Sequence, residues 1–248
     1  MHILATNDDG IHFPGITELA RVLRQKHKVS VVGPAQERSA TSMALTIYDD
    51  VYVKKLKEDT WIVNGYPTDC VNIALYGGIL SSPPDLVISG INKGVNMGED
   101  VLYSGTVGAA SHAAVHGIPA WAVSSGYLDE TGDFTRVAEF ILQLLEDKFH
   151  EKYPAPVLNI NMPAFEKPPY TIKWTKLGLR FYRDSYKRTP AHDNGEWFNL
   201  GGSILDHKPL EGSDFEAFAE GCVSITPLAL NRTDYEALGK FIRRFNQR

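Results

Sequence analysis

The chain has 248 residues, 43% of them apolar and 22% charged, and a formal net charge of −5 at neutral pH. That length suits one large α/β domain, or a domain with an appended arm. The mild acidity argues against a nucleic-acid backbone as partner, which needs a basic patch, and no apolar run is long enough to span a bilayer.

Residues Ile3 to Gly10 read Ile-Leu-Ala-Thr-Asn-Asp-Asp-Gly. An apolar run that stops at two carboxylates and a glycine reads as a buried first strand opening into a loop. In open α/β sheets ligands bind at the carboxyl ends of the strands, which is where Asp8 and Asp9 fall. Adjacent carboxylates repel, so the pair is either a solvated turn or the seat of a hard cation. Ile16, Leu19, Ala20 and Leu23 then recur at helical spacing, and Val29 to Val32 is a second β-branched run ended by Gly33-Pro34. Strand, helix and strand with short connections predict a βαβ unit and a parallel sheet.

Ala35 to Thr46 is a loop rich in hydroxyls, among them Ser39. Val51 to Lys55 and Thr60 to Val63 predict a hairpin, and a helix capped by Thr68 or Asp69 follows, stopped by Gly77-Gly78. Asp85 to Ser89 is a third buried strand. Behind it, Gly90 to Gly98 forms a glycine-rich stretch holding Asn92 and Asn96, whose spacing fits neither the P-loop nor the dinucleotide fingerprint. Ser104-Gly105-Thr106 opens an alanine-dense helix running to His116. Such a start is a plain N-cap or an anion site, since free N–H groups and the helix dipole attract negative charge.

Ala120 to Ser124 and Val157 to Ile160 are further strands, separated by a helix marked by Phe134, Val137, Ala138, Ile141 and Leu145 that ends near His150. The alternation predicts a doubly wound sheet. From Pro168 the pattern changes. Tyr170 to Leu177 reads as a strand, and Arg180 to Arg188 mixes aromatics with cations. Asn194-Gly195 is a hairpin signal with Trp197-Phe198 beyond it. Such a hairpin is an assembly surface or a substrate-facing arm. Cys222 to Thr226 predicts a late strand, and Tyr235, Leu238, Ile242 and Phe245 a C-terminal helix. Cys70 and Cys222 form no metal-spaced pair and read as reduced packing residues, as expected of a cytoplasmic protein. No basic segment precedes a long apolar stretch at the N-terminus, so no signal peptide is expected.

Four loops therefore share one edge. They bring Asp8 and Asp9, then Ser39, then Asn92 and Asn96, then Ser104, Gly105 and Thr106. These are oxygen ligands, suited to Mg²⁺, Mn²⁺ or Ca²⁺ and not to zinc. A hard cation beside a helix N-terminus is a phosphate pocket. The reaction class that follows is metal-assisted phosphoryl hydrolysis, with Asp8 placed to orient or deprotonate water. A receiver-type signalling domain also carries an acidic pair after its first strand, but Asn92 stands where that fold needs a phospho-accepting Asp. A scaffold that holds metal and nucleotide without turnover is the second alternative.

Thr6-Asn7-Asp8-Asp9-Gly10, the Ser39 loop ending at Thr46, and Asp85-Leu-Val-Ile-Ser-Gly-Ile-Asn92 with Gly94 and Asn96 resemble the survival protein SurE family. Tyr103-Ser104-Gly105-Thr106-Val107, Asn159-Ile-Asn161 and Ser224-Ile-Thr-Pro227-Leu228 carry the resemblance almost end to end. It implies a metal-dependent phosphatase acting on nucleoside 5′-monophosphates, with 3′-nucleotides and short polyphosphate as further substrates. It implies one divalent ion per subunit, Mg²⁺ or Mn²⁺, held by Asp8, Asp9, Ser39 and Asn92, with Asp8 and Asp9 catalytic. Phosphate contacts map onto Asn96, Ser104, Gly105 and Thr106. The implied fold is α/β, a Rossmann-like three-layer αβα core with a mainly parallel sheet over 1–165, and a hairpin and C-terminal helical arm over 166–248 used in homodimers or homotetramers. Two positions depart from the family pattern: Tyr66 where it usually has Thr, and His112-Ala113 where it usually has Glu-Gly. These bear on substrate preference or on the packing of a wall.

Overall fold

A computed structural model describes residues 1–164, 170–192, 195–208 and 210–246, and only the backbone of 202–208. Pro168, the 165/166 boundary and Asn194 of the hairpin signal lie outside the described residues. The first strand, β1 (His2–Thr6), is fully buried and runs parallel to β2 (Lys28–Pro34) on one side and β5 (Leu86–Lys93) on the other. The sheet then continues through β6 (Ala120–Ser125) and β7 (Val157–Met162), both parallel. Beyond β2 lie β4 (Thr60–Val63), parallel, and the edge strand β3 (Val53–Lys57), antiparallel. Strand order thus reverses at β1, and the crevice between the ends of β1 and β5 is the switch point where α/β sheets bind ligands.

Side chains alternate across the sheet, as the pleat requires. Ile3 and Ala5 face the layer of α1 (Pro14–Leu23) and α4 (Phe134–Glu146), with Ile16, Leu19, Val137 and Ile141. Leu4 faces the layer of α2 (Pro67–Tyr76) and α3 (Gly105–Val115), with Val71, Ala74, Ala109 and Ala113. The alanines let α3 lie close on the sheet. These two packed faces make the three-layer αβα architecture.

Several boundaries differ from the sequence reading. β5 does not stop at Ser89: after a register shift, Asn92 and Lys93 pair with Ser124 and Ser125. Thus Asn92 stands on a strand end, held by a ladder, and the loop begins at Gly94. Helix α2 starts earlier than expected, at Pro67, whose missing N–H is harmless there. Asp69 sits in its first turn and accepts the Tyr66 N–H at 2.8 Å. A 3₁₀ turn at Gly98–Leu102 precedes α3. After α4, Lys148 adopts a left-handed conformation (φ 53°) and starts a separate short helix, α5 (Phe149–Lys152).

Late in the chain, β8 is only three residues, Ile172–Trp174. A long antiparallel hairpin follows, β9 (Leu179–Pro190) with β10 (Glu196–Lys208). A short helix, α6 (Asp214–Ala219), leads to β11 (Val223–Leu228), which inserts between β7 and β8, antiparallel to the first and parallel to the second. The C-terminal α7 (Tyr235–Phe245) buries none of its residues. Among the described residues no helix is long and apolar enough to cross a membrane. Both cysteines are free and buried.

Candidate active site

The loop after β1 is shaped by its own residues. The Asn7 side chain donates to the Gly10 carbonyl at 2.8 Å, which closes the Asp-Asp turn. The Arg38 N–H donates to the Asp8 carbonyl at 2.7 Å and the Ile11 N–H to Pro34 at 2.9 Å, so the turn is stitched to the end of β2. The hydroxyl-rich loop is pinned at its far end, where Thr46 donates its N–H and its hydroxyl to Asp69, at 2.9 and 2.7 Å. The sequence suggested only a cap for Asp69; its larger task is this anchor.

Asp8, Asp9, Ser39, Asn92, Asn96 and Ser104 line one cavity of about 580 Å³. Three connections converge here and not four: those after β1 and β2, and the single one from β5 to α3, which carries both Asn96 and Ser104. Asp8 is buried and accepts the Thr106 hydroxyl at 2.5 Å and the Thr106 N–H at 3.1 Å. Burial pushes its carboxyl above the ordinary range, and the Thr106 hydrogen bonds pull the other way. The Asp9 side chain accepts the Lys93 N–H at 3.1 Å, with the Lys93 ammonium 3.6 Å away. Burial first, and the neighbouring Asp8 charge second, raise Asp9 to about 7. Two buried carboxylates side by side are a local electrostatic strain that a cation relieves.

The other ligands are turned in the matching sense. Asn92 donates its amide hydrogens to the Lys93 and Gly94 carbonyls at 2.9 and 2.8 Å, and its Oδ1 has no partner among the described residues. Ser39 donates its hydroxyl to Glu37 at 2.8 Å, which leaves the oxygen lone pairs free. Glu37 in turn is held by Lys93 at 2.9 Å. An oxygen-only set of two carboxylates, a carboxamide and a hydroxyl fits a hard divalent ion. Among the described residues no group of three or more His, Cys, Asp or Glu gathers at a metal-binding spacing.

Asn96 is clamped from below. It donates its N–H to Asn161 at 2.8 Å and its amide to Ser124 at 2.8 Å, and its carbonyl accepts from Asn159 and Asn161. Ser104 caps α3, its hydroxyl accepting the Val107 N–H at 3.1 Å, and it also lines the cavity, so cap and pocket coincide in one residue. Gly105 and Thr106 sit differently. A Cβ on Gly105 would lie 2.9 Å from Asp8, and Thr106 is fully buried with both its donors on Asp8. The structure puts these two behind the Asp8 carboxylate and not on the cavity wall.

The sequence reading did not single out Lys93, Asp100, Tyr103, Tyr182 or Asp184, all of which line the cavity. Tyr103 lay inside a motif already noted. Tyr182 and Asp184 come from β9, on the hairpin for which the sequence left open an assembly surface or a substrate-facing arm. Tyr66 and His112 do not line this cavity: Tyr66 lies under the Arg38 guanidinium (5.4 Å to the ring centroid), and His112 packs edge-on against His116.

The family described as "Survival protein SurE" matches residues 3–184. "5'-nucleotidase SurE" of Leptospira interrogans serogroup Icterohaemorrhagiae serovar copenhageni is 46% identical over 239 residues, 96% of this chain and 95% of that protein. "5'-nucleotidase SurE" of Leptospira biflexa serovar Patoc is 42% identical over 98% of this chain and 99% of its own length. The crystal structure of the SurE protein from Aquifex aeolicus superposes with a TM-score of 0.82 at 32% identity, covering 97% of this chain and 98% of that one. With the switch-point acidic pair, the Asn92 strand end and the Ser104 helix start on one fold, and likeness along nearly the whole chain, the protein belongs to the survival protein SurE family.

Proposed function

We propose that the cavity at the β1/β5 switch point is the active centre of a metal-dependent 5′-nucleotidase. The enzyme is a phosphomonoesterase that hydrolyses nucleoside 5′-monophosphates to nucleoside and phosphate. One observation carries the site assignment: the paired carboxylates of Asp8 and Asp9 share a cavity with the unpartnered Asn92 Oδ1 and with Ser39. These four residues would hold one divalent ion, Mg²⁺ or Mn²⁺. Once bound, such an ion polarises a phosphoryl oxygen and acidifies water.

The chain's own residues do the rest. Asn96, clamped by Asn159 and Asn161, presents a fixed amide to a phosphoryl oxygen, and Ser104 presents a hydroxyl beside it. Asp8, fixed in plane by Thr106, orients the attacking water and receives its proton. Glu37 and Lys93 hold Ser39 and Asp9 in register from either side. We further propose that residues 1–165 carry the catalytic groups, and that the hairpin and α7, within 166–248, join copies of the chain into a dimer or tetramer while the hairpin adds Tyr182, Asp184 and Leu200 to the cavity lining. Phe181, Tyr186, Trp197 and Phe198 on the hairpin, and the bare apolar face of α7, support that reading. Two free buried cysteines are in keeping with a cytoplasmic setting.

The test is phosphate release from a panel of nucleoside monophosphates and p-nitrophenyl phosphate, with Mg²⁺, Mn²⁺ or EDTA. Turnover is expected to vanish in EDTA and to return with either ion. Asp8→Asn and Asp9→Asn are expected to lose activity by at least about 100-fold with unchanged circular dichroism. Full activity in either variant would move the site elsewhere.

A further inference from the structure

The cavity is larger than a phosphate group alone would fill. At about 30 Å³ per water, 580 Å³ is the volume of about twenty waters. That places it within the usual range for sites that enclose a whole small molecule. Besides the polar groups, the lining includes aromatic and apolar side chains: Tyr103 from the core, and Tyr182 and Leu200 from the hairpin.

Tyr103 is the residue immediately before Ser104, so its ring lies one residue from the hydroxyl that faces phosphate. Its backbone is fixed at both ends, the N–H donating to Asp100 at 3.0 Å and the carbonyl accepting from Ser42 at 2.8 Å. The residue is nevertheless 61% exposed, and its side chain has no hydrogen-bond or ring partner among the described residues. An aromatic ring on a fixed backbone in a cavity wall is a surface on which another ring can stack. The hairpin's part of the lining is also held in place. Asp100 accepts the Tyr182 hydroxyl and pairs with Arg180 at 2.8 Å, and the Arg180 N–H donates to Glu99 at 2.5 Å. The root of the hairpin is thereby locked onto the 3₁₀ turn that leads into Tyr103.

We propose that Tyr103 is the platform on which the nucleobase of the substrate stacks, with Tyr182 and Leu200 forming the apolar wall that the hairpin adds. This rests on the nucleotidase reading above and names the residue that gives it a preference for nucleotides over plain phosphate esters. Stacking on an aromatic face tolerates any base, so the site favours nucleotides as a class and does not read one base.

The experiment compares a nucleoside 5′-monophosphate with ribose 5-phosphate, which carries the same ester and no base. In the wild type the nucleotide is expected to have the higher kcat/KM. In Tyr103→Ala the ratio of the two kcat/KM values is expected to fall about tenfold, through the KM for the nucleotide. Tyr103→Phe, which keeps the ring, is expected to retain the wild-type ratio. Free nucleoside is expected to inhibit ribose 5-phosphate hydrolysis by the wild type, with a Ki about tenfold higher in Tyr103→Ala. An unchanged ratio and Ki in Tyr103→Ala, or equal loss on both substrates, would overturn the platform. A wild type that hydrolyses both esters but is blind to the base would overturn it too and leave the phosphatase intact. A wild type inert on both would overturn the nucleotidase reading itself.

Discussion

Thr106 commits both of its donors to Asp8, its hydroxyl 2.5 Å from one carboxylate oxygen and its N–H 3.1 Å from the other. The two residues stand 98 apart in sequence, one after β1 and one in the first turn of α3. The pair fixes the plane of the carboxylate and leaves its remaining lone pairs toward the cavity. Thr106→Val keeps the shape and removes the hydroxyl. It is expected to lower kcat or metal affinity by about 10–100-fold, as loss of an outer partner of a metal ligand does. Thr106→Ser is expected to restore most of it. Steady-state kinetics together with a Mn²⁺ titration followed by paramagnetic resonance decide the matter; wild-type values for Thr106→Val would show that Asp8 needs no such support.

Gly108 lies where α3 crosses the hydroxyl-rich loop. A Cβ there would sit 2.1 Å from the Ser42 carbonyl oxygen, a contact with backbone that no rotamer can relieve. Gly108→Ala is expected to destabilise the fold by about 1–3 kcal/mol and to weaken metal binding by displacing the loop that carries Ser39. Urea unfolding and isothermal titration with Mn²⁺ measure the two effects. An unmoved midpoint with unchanged affinity would mean the loop has slack at Ser42.

The sequence announced the central elements because each carries its own period. Ile16, Leu19 and Leu23 mark a helix, and Val29 to Val32 a strand, without outside help. Where tertiary contacts decide, the reading fell short. β5 runs on to Lys93 because Ser124 and Ser125 supply a ladder partner, whereas Gly90-Ile91-Asn92 taken alone resembles a loop. Gly98–Leu102 and Asp214–Ala219 are too short to show a period. Asp8 and Asp9 stood out as an acidic pair at a strand end. The Thr106 bond to Asp8 did not, since a Thr in a first helical turn is ordinary and its partner lies far off in the chain. For Arg180 and Tyr182 the sequence left an assembly surface and a substrate-facing arm both open, because only the folded hairpin brings them to Asp100.

His112 gives the pH dependence. Burial, and then the neighbouring His116, hold its pKa below the ordinary histidine value. The folded state therefore favours the neutral ring. Its contribution to stability is complete above about pH 6.5, the free value, and is lost as the pH falls through the lowered folded value. Urea midpoints between pH 7.5 and 5 are expected to fall more in the wild type than in His112→Asn. Parallel curves would show that some other group titrates.

Helix α7 has Tyr235, Leu238, Phe241, Ile242 and Phe245 exposed. Most of these recur at the three- and four-residue spacing of one helical face. If a second copy covers that face, Leu238→Glu combined with Phe241→Glu is expected to lower the mass measured by light scattering by at least half. An unchanged mass would remove α7 from the interface.

The placement of β11 has a consequence for how the protein is made. Among the described residues β8 pairs only with β11, which stands between it and β7. Roughly 50 residues, Thr175 to Cys222, must leave the ribosome after β8 before β11 arrives, several seconds at about 5–20 residues per second. During that interval β7 offers an open, apolar strand edge, the kind that templates pairing with another chain. The nascent protein is thus most prone to aggregate when its catalytic loops are already synthesised, and a stall between Trp174 and Val223 is the point at which a chaperone has most to protect.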